Sequence, residues 1–139
     1  MFDRCIYFNT NHLSRVVGKI WKDAFAELEL APSHAYLLRL LNKQPGLVQK
    51  QISEQLHLEK STITRFVDKM TDEGYLIRKI PVNGNLKEQQ IFPTKKSKRI
   101  AKRLEQIGDE LYAQMQLTLE TQMLGEMVDN IKSTAKKIS

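Results

Sequence analysis

Between Glu59 and Lys79 the chain reads EKSTITRFVDKMTDEGYLIRK, and this stretch holds the residues best placed to do chemistry. Thr62, Arg65 and Lys69 stand three and four residues apart, so on an α-helix they line one face, with Lys60, Ser61 and Thr64 beside them. That chemistry is non-covalent. Hydroxyls near a helix N-terminus bond phosphate or base edges, an arginine grips a guanine with two hydrogen bonds, and a lysine neutralises a backbone charge. Ile63, Phe66, Val67 and Met70 recur at i, i+3, i+4 and i+7 on the opposite side, a stripe that asks to be buried. An ordinary amphipathic surface helix has the same pattern, so the flanking elements must decide between the two readings.

Catalytic constellations find no support. His12, His34 and His57 fall on separate elements, with no Cys or carboxylate at ligand or triad spacing. No GxGxxG, P-loop or GxSxG occurs, and a single cysteine, Cys5, excludes an intramolecular disulfide framework. The expectation is a non-enzyme with no metal site and no cofactor. Asp68, one helical turn before Asp72, is better suited to an ion pair with Arg78 on the following segment than to acid–base work.

The elements that position this face follow from periodicity. Gln49 to Leu56 is a short helix with Ile52 and Leu56 inward, joined to helix 60 to 73 by His57-Leu58-Glu59. Gly74 suits the position just past a helix end, Tyr75 to Val82 is β-prone, Asn83-Gly84-Asn85 signals a turn, and Gln89 to Phe92 is β-prone again. Helix, turn, helix and hairpin in that order make a winged helix.

Upstream, apolar residues keep helical spacing from about Tyr7 to Leu28 over a face wide enough to meet another chain. Pro32 opens a second helix that ends between Asn42 and Gly46. Ala31 and Val48 stand where a capping hydroxyl is expected, each absence costing about 0.5 to 2 kcal/mol and predicting frayed helix starts. Downstream, Thr94 caps a long helix reaching about Leu117. Its first turns carry Lys95, Lys96, Lys98 and Arg99 against the helix dipole, which suggests an external phosphate near Lys95 and Lys96. Ile100, Leu104, Ile107, Leu111 and Met115 form a near-heptad seam, and a last helix follows a break near Thr118 to Gln122.

The run PGLVQKQISEQLHLEKSTITRFVDKMTDEGYLIRK resembles the MarR family of transcriptional regulators, and the likeness extends over roughly residues 10 to 139 through LELAPSHAYLLRLLNKQPG upstream and IFPT downstream. The fold this implies is mainly α with a small β-hairpin wing, a single domain over 1–139. The winged helix would occupy 31–94, and residues 1–30 with 95–139 would form a helical dimerisation region. The function implied is sequence-specific binding of duplex DNA as a homodimer on an inverted repeat, with repression as the expected mode. A small-molecule effector bound between the dimer helices and the winged helix would release the DNA.

By position, Ser61, Thr62, Thr64 and Arg65 would lie nearest the bases, and Gln49, Lys50 and Lys60 would meet the backbone, with Lys69 and Lys79 adding charge. The dimer would form through Leu13, Val17, Trp21, Leu111, Met115, Leu124, Met127 and Ile131. The wing departs from the family pattern, which has an Asp, one residue, then an Arg that enters the minor groove. Here Asn85, Leu86 and Lys87 stand there, so the wing should supply phosphate attraction more than sequence preference. One branch of the family senses peroxides through a reactive Cys near the start of its first helix. Cys5 is followed by Tyr7, but its distance to Arg15 departs from that branch, which favours an unreactive thiol over a redox role.

Charge distribution agrees. Of a formal net +6 over 139 residues, residues 60 to 103 hold 12 Lys+Arg against 4 Asp+Glu, whereas residues 104 to 139 hold 3 against 6. Positive charge gathered on the helix-turn-helix and hairpin attracts polyanions. No apolar run approaches the ~18 residues of a membrane helix, and no secretory segment opens the chain, so the expected compartment is the cytoplasm. Two other readings stay open at this level. One is a sequence-nonspecific architectural DNA-binding protein, and the other is a winged helix used as a protein interaction module.

Overall fold

A computed structural model describes residues 1–81 and 89–139. Its elements are α1 (Ile6–Phe25), a 3-10 turn (Ala26–Leu28), α2 (Pro32–Lys43), β1 (Leu47–Val48), α3 (Gln49–Leu56), α4 (Lys60–Asp72), β2 (Leu76–Lys79), β3 (Gln90–Pro93), α5 (Lys95–Leu119) and α6 (Thr121–Ile138). The expected class holds: a mainly helical chain with a small antiparallel sheet. That sheet has three strands rather than two, in the order β1-β3-β2. Leu47 pairs with Ile91 and Arg78 also faces Ile91 from the other side, so β3 is central. The two-residue β1 is too short to leave a periodic signal. The turn Asn83-Gly84-Asn85 and the wing residues Leu86 and Lys87 lie outside the described residues.

The chain divides into two compact units, Met1–Glu105 and Gln106–Ser139. In the first, the core is built from Phe25, Leu37, Leu38, Leu41, Ile52, Ile63, Val67, Met70, Leu76 and Ile91, all fully or almost fully buried. Each such aliphatic or aromatic side chain is worth about 1.5–3 kcal/mol of burial. Three of the four stripe residues of α4 lie in this core. Phe66 sits at its margin, half-buried, with its ring edge-on to His34 at 4.9 Å between centroids. Burial pushes the His34 imidazole below its ordinary value of 6.5, and the nearby Lys69 charge adds to that.

The helix ends follow from local chemistry. Neither Ala31 nor Val48 caps its helix through a side chain, as expected, but Gln51 Oε1 accepts from the Val48 N–H at 2.9 Å, which ties down the start of α3. The helix-turn-helix bend is made by His57 in the left-handed region, φ 55°, uncommon for a residue with a side chain. The bend is held by Ser53, whose hydroxyl donates to the Leu58 carbonyl and whose own carbonyl accepts from the Leu58 N–H at 3.2 Å. Gly74 ends α4 with φ 82°, the Tyr75 N–H reaching back to the Met70 carbonyl at 2.8 Å.

Thr94 caps α5 as expected, accepting from the Ser97 N–H at 3.4 Å and donating to the Gly74 carbonyl at 2.6 Å. Lys96, near which a phosphate is expected, also has a partner within the protein. Its ammonium donates to the Glu73 carbonyl at 2.6 Å and lies 4.3 Å from the Tyr75 ring centroid, so it is engaged at the negative end of α4. Lys95 and Lys96 both stay exposed.

A bidentate pair joins α2 to α5: Arg39 Nε and Nη2 donate to Glu105 at 3.0 and 2.9 Å, and Lys43 approaches the same carboxylate at 3.3 Å. The hydrogen bond from Arg39 holds the Glu105 carboxyl below its ordinary value of 4.5. A lowered native value means that its stabilising contribution is present above about that value and is lost as pH falls through the lower native one. Glu105→Gln should therefore flatten the acid limb of a stability-against-pH curve between pH 7 and 3, measured by urea unfolding. An unchanged acid limb would count against the pair.

In the second unit, Ile107 and Leu111 are buried, and the helical path breaks at Glu120, φ 65°, inside the expected window. Leu124 and Met127 are half-buried in α6, while Tyr112, Leu117, Met123, Val128 and Ile131 are exposed.

Candidate nucleic-acid interface

Helix α4 offers an exposed polar face because Ile63, Val67 and Met70 commit its other side to the core. Lys60, Ser61, Arg65 and Lys69 are exposed, and Thr62 and Thr64 are half-buried. No side chain caps the helix start by a hydrogen bond and no acidic residue occupies its first turn, so its first backbone N–H groups are left open, with Glu59 at the N-cap the nearest acid in sequence. Arg65 Nη2 makes a long hydrogen bond of 3.4 Å to Thr62 Oγ1, which leaves most of the guanidinium's five N–H donors for another partner. Lys69 sits 3.6 Å from Glu73 one turn on, and solvent weakens that pair.

From α3, Gln49 and Lys50 stand at the helix start, Lys50 exposed and Gln49 half-buried. Gln49 meets α4, with its Oε1 3.0 Å from Thr64 Oγ1. Lys79 closes β2 with its ammonium 4.6 Å from the Phe92 ring centroid, exposed on the outside of the sheet. The structure thus brings together Gln49 and the α4 residues. Lys79 stands on the wing strand, and Lys87 falls outside the described residues.

The ion pair foreseen between Asp68 and Arg78 is present and joins α4 to β2. Asp68 is more than half exposed, so the pair is worth about 0.2–1 kcal/mol of stability. Asp68→Ala should move the thermal midpoint by only a few degrees while loosening the wing strand from α4. Amide hydrogen exchange of β2 measures this, and unchanged exchange there would leave the pair without a positioning role.

Two groups of contacts had no sequence signal. One is the Gln49–Thr64 contact, and the other is the Arg39–Glu105–Lys43 cluster, in which Arg39 and Glu105 are 66 residues apart in the chain. The cluster borders a groove of about 240 Å³ lined by Tyr36, Arg39, Leu40, Lys43, Leu56 and Glu105.

At the N-terminus, Cys5 precedes α1, and the Asn9 amide donates to the carbonyls of Phe2, Asp3 and Cys5 at 3.2, 3.1 and 2.8 Å. Among the residues expected at a dimer contact, Leu13 and Ile131 are exposed, and Val17, Met115, Leu124 and Met127 are half-buried. Leu111 is already buried in the single chain, and the half-buried Trp21 donates its indole N–H to Tyr36 Oη at 2.9 Å. Among the described residues no group of three or more His, Cys, Asp or Glu could hold a metal ion, and no helix is long and apolar enough to cross a membrane.

Residues 30–84 match the model of the MarR family. The uncharacterized HTH-type transcriptional regulator YybA of Bacillus subtilis (strain 168) is 29% identical over 98 residues, a stretch covering 70% of this chain and 64% of that protein's length. Among solved structures, the S. aureus MepR–DNA complex superposes with a TM-score of 0.84 at 14% identity, over 99% of this chain and 100% of that one. CouR from Rhodococcus jostii RHA1 bound to p-coumaroyl-CoA gives a TM-score of 0.76 at 18% identity, over 97% and 94%. At such identities the likeness is one of fold.

Proposed function

We infer, from the membership of residues 30–84 in the MarR family, that this chain is a transcriptional regulator that binds an inverted repeat in duplex DNA as a homodimer. The observation that carries this is the exposed α4 face of Ser61 and Arg65 at an uncapped helix start, set in the segment that concentrates the chain's positive charge. In this reading α4 lies in the major groove with Ser61, Thr62, Thr64 and Arg65 nearest the base edges. Gln49, Lys50 and Lys60 meet phosphates, and Lys69 and Lys79 add to the field. Lys87 reaches the neighbouring minor groove as a point charge.

The homodimer forms through α1 and the α5–α6 helices, where Leu13, Val17, Met115, Leu124, Met127 and Ile131 leave apolar surface uncovered in one chain. On α1, Ile6, Tyr7, Phe8 and Val16 are exposed as well. A two-fold axis then sets half-sites about one helical turn apart, roughly 10 bp centre to centre. A small effector that changes the angle between dimer helices and winged helices lowers DNA affinity by favouring a dimer whose spacing no longer fits. CouR, solved with p-coumaroyl-CoA, supports an effector for a chain of this fold. The site of action is the cytoplasm, where genomic DNA is.

Selection of bound duplexes from a random library at about 150 mM salt tests this, because backbone-only binding is weakened by salt without choosing a sequence. An enriched inverted repeat, together with a sedimenting species of twice the chain mass, is the expected result. Duplex retention without an enriched motif replaces this reading with the architectural one, which the lysine at the wing position favours. Weak binding that ignores salt points instead to a protein interaction module.

A further inference from the structure

We propose that Thr64 is a positioning residue for Gln49 rather than a reader of bases, and that on DNA it holds the Gln49 carboxamide with its NH2 group turned outward to donate to a phosphate. This rests on the DNA-binding reading above and refines its site.

The observation is a surplus of acceptors. Thr64 Oγ1 lies 3.0 Å from Gln49 Oε1 and 3.0 Å from the Lys60 carbonyl oxygen. A hydroxyl carries one proton, so it cannot donate to both at once. Two arrangements satisfy every group. In the first, Thr64 donates to the Lys60 carbonyl, the back-bond that threonine often makes within a helix. The Gln49 amide must then turn its NH2 toward Thr64 and present its carbonyl oxygen outward. In the second, Thr64 donates to Gln49 Oε1, and the amide presents two N–H donors outward. The Lys60 carbonyl loses little in the second arrangement, since it keeps the main-chain hydrogen bond of the helix.

The surroundings select between them. Gln49 is the first residue of α3, next to the exposed Lys50, and at Thr64 it meets α4, in whose first turn Lys60 is exposed and the backbone N–H groups are uncapped, with Glu59 as the acid at the N-cap. A phosphate drawn there would meet an outward carbonyl oxygen with repulsion and an outward NH2 with a hydrogen bond. Phosphate binding therefore draws the Thr64 proton to Gln49. In either arrangement the Thr64 oxygen is committed inside the protein, and its half-burial agrees with that. The base-reading set on α4 then contracts to Ser61, Thr62 and Arg65. Gln49 in turn becomes a neutral phosphate contact whose direction is set across the helix-turn-helix, so it also fixes α3 against α4.

The test is a double-mutant cycle of Thr64→Val, which keeps the shape and removes the hydroxyl, with Gln49→Ala, and Thr64→Ser as the conservative rescue. Binding is read on the selected duplex and on a scrambled one at the same salt. Thr64→Val should weaken both by a similar factor, about 3- to 10-fold for one lost neutral hydrogen bond. Thr64→Ser should restore binding, and Thr64→Val should add nothing in the Gln49→Ala background. In the DNA-free protein, the Gln49 side-chain amide resonances should shift in Thr64→Val while the thermal midpoint falls by no more than a few degrees, the cost of one hydrogen bond.

Loss of preference at one base position in Thr64→Val, or additive effects of the two substitutions, would overturn the proposal by making Thr64 a base reader or an independent contact. Unmoved Gln49 amide signals overturn it without reference to DNA. A native protein that retains no duplex, with those signals shifted as expected, sinks the regulator reading and the phosphate partner with it, and leaves the helix-bridging hydrogen bond standing.

Discussion

Arg65→Ala should abolish sequence preference at one position of each half-site, lowering affinity for the selected operator by roughly 5- to 150-fold, the equivalent of about 1–3 kcal/mol for a bidentate guanine contact. The physical basis is the state of this side chain in the folded protein. It is exposed, it belongs to no ion pair among the described residues, and its one internal hydrogen bond, to Thr62, is long at 3.4 Å. Its donors are therefore available at little desolvation cost, on the same face as Ser61. Because Arg65 contributes nothing to the core, the thermal midpoint of the variant should match that of the native protein, which separates a recognition defect from a folding one. Binding measured against a full set of single-base operator variants decides the outcome. A uniform loss across all sequences, with the slope of log affinity on log salt reduced by about 0.9, would assign Arg65 to a phosphate instead. No change in either quantity would remove α4 from the interface.

Ile63→Ala should cost about 2–5 kcal/mol of stability, a large part of what a domain of this size has. Ile63 is fully buried on the inner face of α4, in a core shared with Ile52, Leu38 and Leu76. Alanine removes methylene and methyl groups from a site that its rigid neighbours cannot close, so lost transfer energy and a residual cavity add together. For a chain of this length the midpoint should fall by about 4–20 °C, at roughly 2–4 °C per kcal/mol. Ile77→Ala is the matched control. Ile77 lies on the exposed side of β2 and its truncation should shift the midpoint by less than about 2 °C, within the ±0.5 kcal/mol usual at surfaces. Below its own midpoint Ile63→Ala should keep the native base preference, since it leaves Ser61 and Arg65 untouched. Equal midpoints for the two variants would show that α4 is not anchored through this stripe.

Local chemistry made much of the molecule legible. The apolar spacing of Ile63, Val67 and Met70 fixes which side of α4 is buried, and therefore which side is left to Ser61 and Arg65. Gly74 past the end of α4, Pro32 at the start of α2 and Thr94 before α5 mark helix boundaries because each residue's backbone or hydroxyl suits one position only. Even the Asp68–Arg78 pair could be read ahead, since a helix end, a Gly turn and a strand start leave few ways to place two residues ten apart.

Tertiary structure decided what depends on how elements meet. Strand β1 exists because Gly46, with φ 89°, lets the chain approach the Phe92 ring and pair with β3; two residues carry no period of their own. Lys96 gives one donor to the Glu73 carbonyl while staying exposed, because the end of α4 arrives beside it. Arg39 found Glu105, and Thr64 found Gln49, through crossing angles that no local pattern encodes. The sequence by itself thus determined the order of elements, the face that α4 exposes and the place where positive charge gathers, since these follow from side-chain type and helical period. Only the folded structure decided which polar groups on that face are spent within the protein and which are left to donate, because hydrogen bonds are settled by distances between elements far apart in the chain.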